Sequence, residues 1–278
     1  MDNKRQLEVA VISDLHLGTF GSQTKSIISY LRSIDPKILV LNGDIIDIWQ
    51  FNKRYFPESH MQVIKEIFSL LSRGTKVYYI TGNHDEMLRK YSDLEMGNFT
   101  LTDKLVIEMD GKKTWFFHGD IFDATTKGWV KILAKLGGKG YDLLILLNQG
   151  INWCLKMAGR EKMSFSKKVK NSVKKAVAWI DNFETTAAEL AIENGYDFVA
   201  CGHIHQPQNR KYKNVQGEVT YLNSGDWVEN CTALEYTEKN WNIHYHQAEA
   251  GNAINVNEKN IPLPNLVSDT ISLLLQPI

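Results

Sequence analysis

The chain has 278 residues, of which 43% are hydrophobic and 23% charged, and its 32 lysines and arginines balance its 32 acidic residues. This composition excludes an intrinsically disordered chain, which would carry fewer apolar residues and a larger net charge. It also argues against a membrane-spanning helix, because apolar runs such as residues 143–147 fall far short of the roughly 18 residues required.

The first third of the chain alternates apolar runs with amphipathic segments. Runs rich in valine and isoleucine end in polar residues and glycine, a pattern that is typical of buried strands leading into functional loops. We predict such strands at residues 7–13, 37–43 and 76–81, and helices at 24–33 and 61–73, the second ending before Gly74. This strand–helix alternation predicts an α/β architecture.

The remaining predicted elements are mostly strands. Residues 104–109 and 113–117 flank Asp110-Gly111, which is the favoured turn of a β-hairpin. Residues 197–201 form another buried strand. We expect residues 219–222, 233–236 and 241–245 to form a final meander, in which His244 and His246 lie on an exposed face.

Five polar motifs follow these predicted strands, at the position where ligands bind in α/β sheets. Their side chains are carboxylates, imidazoles and one amide, without a thiolate, and this set suits Mn²⁺, Fe or Zn²⁺. The motifs are Asp14-Leu-His16, Gly43-Asp44 with Asp47, Gly82-Asn83-His84-Asp85, His118-Gly119-Asp120 and Gly202-His203-Ile204-His205.

The number of potential ligands predicts two metal ions rather than one. A single tetrahedral site uses four ligands, whereas two ions about 3.5–4 Å apart can share a bridging carboxylate. The candidates are Asp14, His16, Asp44, Asn83, His118, His203 and His205.

Together these motifs resemble the calcineurin-like metallophosphoesterase family over residues 7 to about 236. The resemblance implies an α/β fold in which a two-sheet β-sandwich is flanked by helices in four layers, with two divalent ions, Mn²⁺ first and Fe or Zn as alternatives. It implies that Asp44 bridges an ion held by Asp14, His16 and His205 and an ion held by Asn83, His118 and His203. His84 corresponds to the family's catalytic histidine, and Asp85 is a further catalytic or orienting candidate.

A basic segment separates the fourth and fifth motifs. Residues 126–175 contain twelve lysines and arginines against two acidic residues, a net charge of +10 that leaves −10 for the rest of the chain. Trp129, Ile132, Leu133 and Leu136 recur at helical spacing beside lysines, which indicates a basic amphipathic helix. We interpret residues 123–175 as a helical lid or membrane-facing clamp; a core helical hairpin is the alternative. Substrate-binding candidates are Lys53, Arg54, Trp129 and Lys131; for Lys53 and Arg54, a plain surface loop is the alternative.

Finer features resemble the UDP-2,3-diacylglucosamine diphosphatase group within this family. They are Asp123, the helical insertion, and the segments 202–207 and 224–227. The resemblance implies cleavage of a lipid-linked diphosphate in lipid A synthesis, at the cytoplasmic face of the inner membrane. One residue departs from the pattern: well-known members carry arginine where this chain has His84, so phosphomonoesters and other diphosphates stay open as substrates.

The same residues argue against two rival functions, a nuclease and a non-catalytic scaffold. A nuclease groove would place arginines and aromatics among the lysines, whereas the insertion is mainly lysine and aliphatic residues, so nucleic acid is a disfavoured partner. A non-catalytic scaffold would have lost metal ligands, and this chain lacks none. The expected partners are a phosphate-containing small molecule or lipid-nucleotide substrate and an anionic membrane surface.

The location and domain organisation follow from the same reading. The start of the chain shows no apolar leader and the three cysteines lie far apart, so we expect a cytoplasmic, reducing environment with peripheral membrane contact. We divide the chain into a phosphoesterase domain (1–122 and 176–256), the lid (123–175) and a C-terminal tail (257–278).

Overall fold

Strands and helices alternate along the chain, largely where the sequence predicts them. The computed structural model describes residues 4–49, 55–125 and 165–247, with side chains from residue 179 onward in the helix that opens the last range. All lie within one unit, Met1–Gln247. The elements are β1 (Arg5–Ile12), α1 (Thr24–Ser33), β2 (Ile34–Asn42), α2 (Glu58–Ser72), β3 (Lys76–Ile80), β4 (Leu94–Met96), β5 (Phe99–Thr102), β6 (Lys104–Met109), β7 (Lys112–Phe117), α3 (Phe165–Glu193), β8 (Phe198–Cys201), β9 (Gln208–Lys213), β10 (Glu218–Asn223), β11 (Thr232–Thr237) and β12 (Asn240–Tyr245), with 3₁₀ turns at Glu86–Tyr91 and Asp120–Thr125.

The strands form two sheets with parallel centres. The seven-stranded sheet has the order β12-β11-β1-β2-β3-β5-β4, and β1, β2, β3 and β5 run parallel. The five-stranded sheet has the order β6-β7-β8-β10-β9, and β7, β8 and β10 run parallel. Because parallel neighbours end at the same edge, each sheet delivers several strand-end loops to one rim.

The apolar core between the sheets follows from the two-residue period of the strands. Val9 and Val11 of β1 lie in the inter-sheet core with Phe116 and Ala200 of the opposite sheet. The intervening β1 residues pack in the other direction, toward the helices. Strands buried on both faces read as continuous apolar runs, which is why β1 and β2 were recognisable from the sequence.

Helices cover both outer faces of this sandwich. Ile27 of α1 and Val63 of α2 pack on the seven-stranded sheet. Phe183, Ala187 and Ala191 of α3 recur every four residues and pack on the five-stranded sheet. The four layers confirm the predicted class, an α/β fold with a two-sheet sandwich flanked by helices.

The predicted hairpin is confirmed, whereas the predicted meander is wrong. β6 and β7 pair antiparallel around Asp110-Gly111. β10, however, pairs with β8 and β9 in the five-stranded sheet, while β11 and β12 belong to the seven-stranded sheet. Residues 224–231 therefore cross between the sheets, and three short strands in succession do not reveal such a crossing.

Two further observations concern helices. The expected lid boundary at 175/176 lies inside the continuous helix α3, and the domain division stays a prediction. Within the described ranges, no helix combines the length and the apolar character needed to cross a membrane.

Candidate metal centre

Backbone hydrogen bonds pair four of the five motifs at one rim of the sandwich. The amides of Asp14 and His16 donate to the carbonyls of Gly43 and Asp44, each at 3.0 Å. The amide of Gly202 donates to the carbonyl of His118 at 3.0 Å. The first two motifs thus run side by side, as do the last two.

Most candidate ligands adopt a backbone conformation that is uncommon outside glycine. The φ angles are positive at Asp14 (54°), His16 (47°), Asp44 (54°), His203 (68°) and His205 (53°). Non-glycine residues in this region cost of order 1–3 kcal/mol each and persist where the surroundings determine them. Such concentrated strain is typical of a functional site.

Glycines between the ligands leave room for their side chains. A Cβ placed on Gly202 would lie 2.6 Å from Asp14 Oδ2, which is closer than real Cβ atoms approach. A Cβ on Gly82 or Gly43 would likewise lie under 3.0 Å from the side chains of Asp44 and His118. These glycines are therefore required by close approach.

The two buried aspartates each commit one oxygen to the backbone. Asp14 Oδ2 accepts the amide of His203 at 3.1 Å, and Asp44 Oδ1 accepts the amide of His84 at 2.8 Å. This arrangement fixes both carboxylates and leaves Asp14 Oδ1 and Asp44 Oδ2 facing the histidines.

Asp14, His16 and His205 form the first donor group. Asp14 Oδ1 lies 3.1 Å from His205 Nε2 and 3.9 Å from His16 Nε2, and the two ring nitrogens are 3.4 Å apart. Three donor atoms within 4.8 Å of one another have the spacing of ligands around a single ion.

Asp44, His118 and His203 form the second donor group. His118 Nδ1 donates to the carbonyl of Asn42 at 2.9 Å, so the lone pair on Nε2 is available, and Nε2 lies 3.2 Å from Asp44 Oδ2. The rings of Trp179 and Phe183, on α3, lie beside the imidazole of His203. Helix α3 therefore helps to position a candidate ligand.

Asp44 also belongs to a third group, with His16 and His84. Membership of several groups is what a bridging carboxylate requires. Asn83 carries an amide and therefore belongs to none of these groups of carboxylates and imidazoles. Its Oδ1 is buried in the motif that also contains His84.

The surroundings of the buried donor atoms suit divalent ions. Asn83 Oδ1 is buried and makes no hydrogen bond with any described residue, whereas Asp14 Oδ1 and His118 Nε2 face only other candidate ligands, His205 at 3.1 Å and Asp44 at 3.2 Å. Buried polar atoms are normally satisfied, and leaving one unsatisfied costs about 1–3 kcal/mol. Oxygen and imidazole donors of this kind suit a divalent cation.

The electrostatics agree with a cation site. Burial alone would raise the pKa of Asp14, but His205 and His118 lower it to about 2. Burial would likewise raise the pKa of Asp44, yet His118, His16 and His84 hold it well below its usual range. Both carboxylates therefore stay ionised at neutral pH.

His84 is oriented by a carboxylate and an aromatic ring. Its Nδ1 lies 2.9 Å from Asp47 Oδ2. The half-exposed ring of Trp49 packs on the imidazole, with ring centroids 4.7 Å apart. Burial lowers the pKa of His84, but Asp47 and Asp44 outweigh it and raise the pKa above its ordinary value. A proton on Nε2 is thereby favoured.

A sequence profile of calcineurin-like phosphoesterases matches residues 7–207, a range that contains all five motifs. The chain belongs to the calcineurin-like phosphoesterase family. It is accordingly a metal-dependent phosphoester hydrolase, and the resemblance stated from the motifs is confirmed.

Relatives of this phosphoesterase share one description. The chain is 25% identical over 247 residues to the UDP-2,3-diacylglucosamine hydrolase of Aliivibrio fischeri (strain MJ11), and the alignment covers 86% of this chain and 98% of that protein. The UDP-2,3-diacylglucosamine hydrolase of Neisseria gonorrhoeae is 25% identical over 220 residues, covering 78% and 88%. Among solved structures, the E. coli phosphoesterase Yfce matches at 12% identity with a TM-score of 0.41, covering 86% and 99%.

Asp85 lies beneath the site rather than at its surface. It is fully buried, and its carboxylate accepts hydrogen bonds from Tyr79 Oη (2.6 Å), the amide of Gly82 (2.6 Å) and the amide of Ile45 (3.0 Å). Burial and the charge of Asp44 raise its pKa overall, although the hydrogen bonds from Tyr79 and Gly82 act to lower it. These contacts favour the orienting role over direct participation in the reaction.

The crossing segment between the sheets also supports the phosphoesterase site. The amide of Trp227 donates to the carbonyl of Asp14 at 3.1 Å, and Asn230 Nδ2 donates to the carbonyl of His205 at 2.9 Å. Asp226 ties this turn together through the amides of Val228 and Glu229. The motif at 224–227 is part of the resemblance, but the strand pattern does not reveal that the crossing segment contacts Asp14 and His205.

Other predicted residues fall elsewhere. The substrate-binding candidates Lys53, Arg54, Trp129 and Lys131 lie outside the described residues. The expectation that His244 and His246 face solvent is wrong, since both are half-buried. The ring of His244 packs beside Tyr30, and that of His246 packs beside Trp227, because α1 covers this edge of the sheet.

Proposed function

We propose that this phosphoesterase hydrolyses the diphosphate of UDP-2,3-diacylglucosamine and releases UMP and the lipid monophosphate. One observation carries the substrate assignment: relatives named for that substrate align over most of both chains. The donor groups that share Asp44 supply a site for the chemistry.

The proposed ligand division follows the two donor groups. Asp14, His16 and His205 hold one divalent ion, Asn83, His118 and His203 hold the other, and Asp44 contributes to both. Ions bound there, with Mn²⁺ proposed as native, would neutralise phosphoryl charge and lower the pKa of water. The protein's part is to keep the two carboxylates ionised and the imidazoles turned inward.

His84 is the proposed proton donor to the leaving group. Asp47 holds Nδ1, so the other ring nitrogen, Nε2, is the one directed at Asp44, 4.0 Å away. Burial lowers its pKa, but Asp47 raises it above the ordinary value, which is the direction that favours the protonated form of a general acid.

Substrate contacts are proposed from the loop after β2 and from the insertion. Trp49 presents a half-exposed aromatic ring beside His84. Lys53 and Arg54 follow it in the sequence and would pair with phosphate, and Trp129 and Lys131 of the basic lid would contact the amphiphilic substrate. A cytoplasmic enzyme attached peripherally to the inner membrane fits such a substrate.

A phosphomonoesterase is the second candidate, and His84 is the observation that favours it. Alkoxide leaving groups need a proton, which histidine can donate and arginine cannot. Cleavage of a diphosphate instead expels a phosphate monoester, which leaves more easily than an alkoxide and depends less on an acid.

A substrate panel separates these functions. Turnover would be measured with Mn²⁺ on UDP-2,3-diacylglucosamine, p-nitrophenyl phosphate and single-stranded DNA, with Asp44→Ala as the inactive control. The proposal predicts that the lipid nucleotide has the highest kcat/KM by at least about tenfold. Fast monoester hydrolysis without turnover of the lipid nucleotide would instead establish the phosphomonoesterase.

A further inference from the structure

Tyr79 lies on β3, one layer below the metal centre. Its side chain is 7% exposed and packs in the core between the seven-stranded sheet and the helices. Its hydroxyl donates to Asp85 Oδ2 at 2.6 Å. A tyrosine in an otherwise apolar core position needs such an acceptor, because a buried hydroxyl is costly when unpaired.

Besides Tyr79, the Asp85 carboxylate contacts two loops of the candidate site. Its Oδ2 also accepts the amide of Ile45, the residue after Asp44, at 3.0 Å. Its Oδ1 accepts the amide of Gly82, the residue before Asn83, at 2.6 Å. One carboxylate therefore joins the loop that carries the bridging candidate to the loop that carries Asn83 and His84.

A second contact runs in the opposite direction between the same loops. Asp44 Oδ1 accepts the amide of His84 at 2.8 Å, and the amide of Ile48 donates to the carbonyl of His84 at 3.0 Å. The loops hold each other reciprocally, and the rotamer of Asp85 sets their separation. The Tyr79 hydroxyl is the side-chain donor that fixes this rotamer.

We propose that Tyr79 is a positioning residue of the metal centre, acting through Asp85 to hold Asp44 and Asn83 at their binding distance. The inference rests on the proposed two-metal function of this site. Groups that orient metal ligands typically affect metal affinity or activity by about 10–100-fold. Tyr79 acts through one further residue, so we expect an effect at the lower end, about tenfold.

Tyr78 supplies a matched control on the same strand. Its side chain points to the opposite side of β3, where the Nζ of Lys76 lies 5.0 Å from the ring centroid. Tyr79→Phe and Tyr78→Phe each remove one hydroxyl from adjacent positions, and only the first removes a donor to Asp85.

The test titrates metal-free full-length protein with Mn²⁺ by calorimetry and measures p-nitrophenyl phosphate turnover. For Tyr79→Phe we expect about tenfold weaker Mn²⁺ binding and a lower kcat with little change in KM, and excess Mn²⁺ should restore part of the lost turnover. Tyr78→Phe should match the wild type in Mn²⁺ affinity, kcat and KM. Rescue by Mn²⁺ would distinguish altered ligand positions from a general loss of stability.

Different results would contradict the role of Tyr79 and the proposed metal centre. Equal Mn²⁺ affinity for Tyr79→Phe and the wild type would overturn the role of Tyr79 while leaving the metal centre in place, and so would a loss of turnover that excess Mn²⁺ does not restore. A wild-type protein that binds no Mn²⁺ would overturn the proposed metal centre and this inference with it.

Discussion

His84 and Asp47 form a close pair at the rim of the candidate metal centre, with Nδ1 2.9 Å from Oδ2. The same oxygen lies 3.4 Å from Nδ1 of His16, a candidate metal ligand. One buried carboxylate therefore orients both the proposed acid and a residue of the first donor group. Asp47 follows Asp44 by three positions, so the loop after β2 supplies the bridging candidate and this orienting group together.

The role of His84 is tested by removing its side chain. His84→Ala should lower kcat by about 10²–10⁴ for phenyl phosphate, since general acid catalysis is worth about that factor, and by less for p-nitrophenyl phosphate, whose leaving group needs little protonation. Steady-state kinetics with both esters would measure the difference. Metal content should be unchanged; a variant that lost metal would identify His84 as a ligand, in keeping with its place beside His16 and Asp44.

The proposed bridging role of Asp44 predicts a larger effect. Asp44→Ala should reduce turnover by about a thousandfold or more, because charge neutralisation by the ions is worth several kcal/mol and each 1.36 kcal/mol is a factor of ten. Elemental analysis should also show fewer than two ions per chain. Asp35→Ala changes a half-exposed aspartate on β2 and should behave as the wild type. Unaltered metal content in Asp44→Ala would refute a shared ligand.

A single methyl group should disrupt the site sterically. Gly82→Ala places a Cβ against the side chain and backbone of Asp44, and overpacking of this kind costs about 1–3 kcal/mol. We expect lower metal affinity and a lower Tm, measured by calorimetry and thermal denaturation. Gly217→Ala is the control, since its Cβ would lie at an ordinary 3.4 Å from Ile192. Equal metal affinity in both variants would show that the Gly82 contact has no bearing on the site.

Metal binding should release protons. In the metal-free protein burial lowers the pKa of His205, but Asp14 raises it to about 9, and Asp44 raises that of His118 well above its ordinary value despite its burial. These protonated pairs stabilise the metal-free fold below about pH 6.5, and this contribution is lost as pH rises through about 9. Metal requires neutral imidazole, so its stabilisation should increase over the same range.

The difference in Tm between Mn²⁺-loaded and chelated protein should therefore widen from pH 6.5 to pH 8.5. Calorimetry of Mn²⁺ binding in two buffers of different ionisation enthalpy would count the released protons. A constant Tm difference with no proton release would contradict the protonated state of the metal-free site.

The sequence predicted much of the fold because buried parallel strands leave a clear pattern. β1 ends at Ile12, two residues before Asp14, and β2 ends at Asn42, two residues before Asp44. Both strands, and the polar motifs that follow them, could therefore be predicted. The crossing at residues 224–231 was not, because β10 and β11 are alike in pattern yet belong to different sheets.

Contacts that depend on tertiary packing could not be predicted from the sequence either. His244 shares a face of β12 with the exposed Asn240 and Asn242, and the placement of α1 half-buries it beside Tyr30. Tyr79 reads as one more apolar strand residue, and its link to Asp85 depends on how the following turn folds back. Local patterns indicate which residues are candidates for the chemistry, whereas the contacts that hold these residues in place depend on the packing.

Metal content measured together with activity tests the central claim most directly. Purified protein would be assayed for p-nitrophenyl phosphate turnover and analysed for metal before chelation, after chelation and after addition of Mn²⁺. Two divalent ions per chain in the active protein, loss of turnover on chelation and its return with Mn²⁺ are the predicted results. Undiminished turnover by protein that carries no metal would contradict the account.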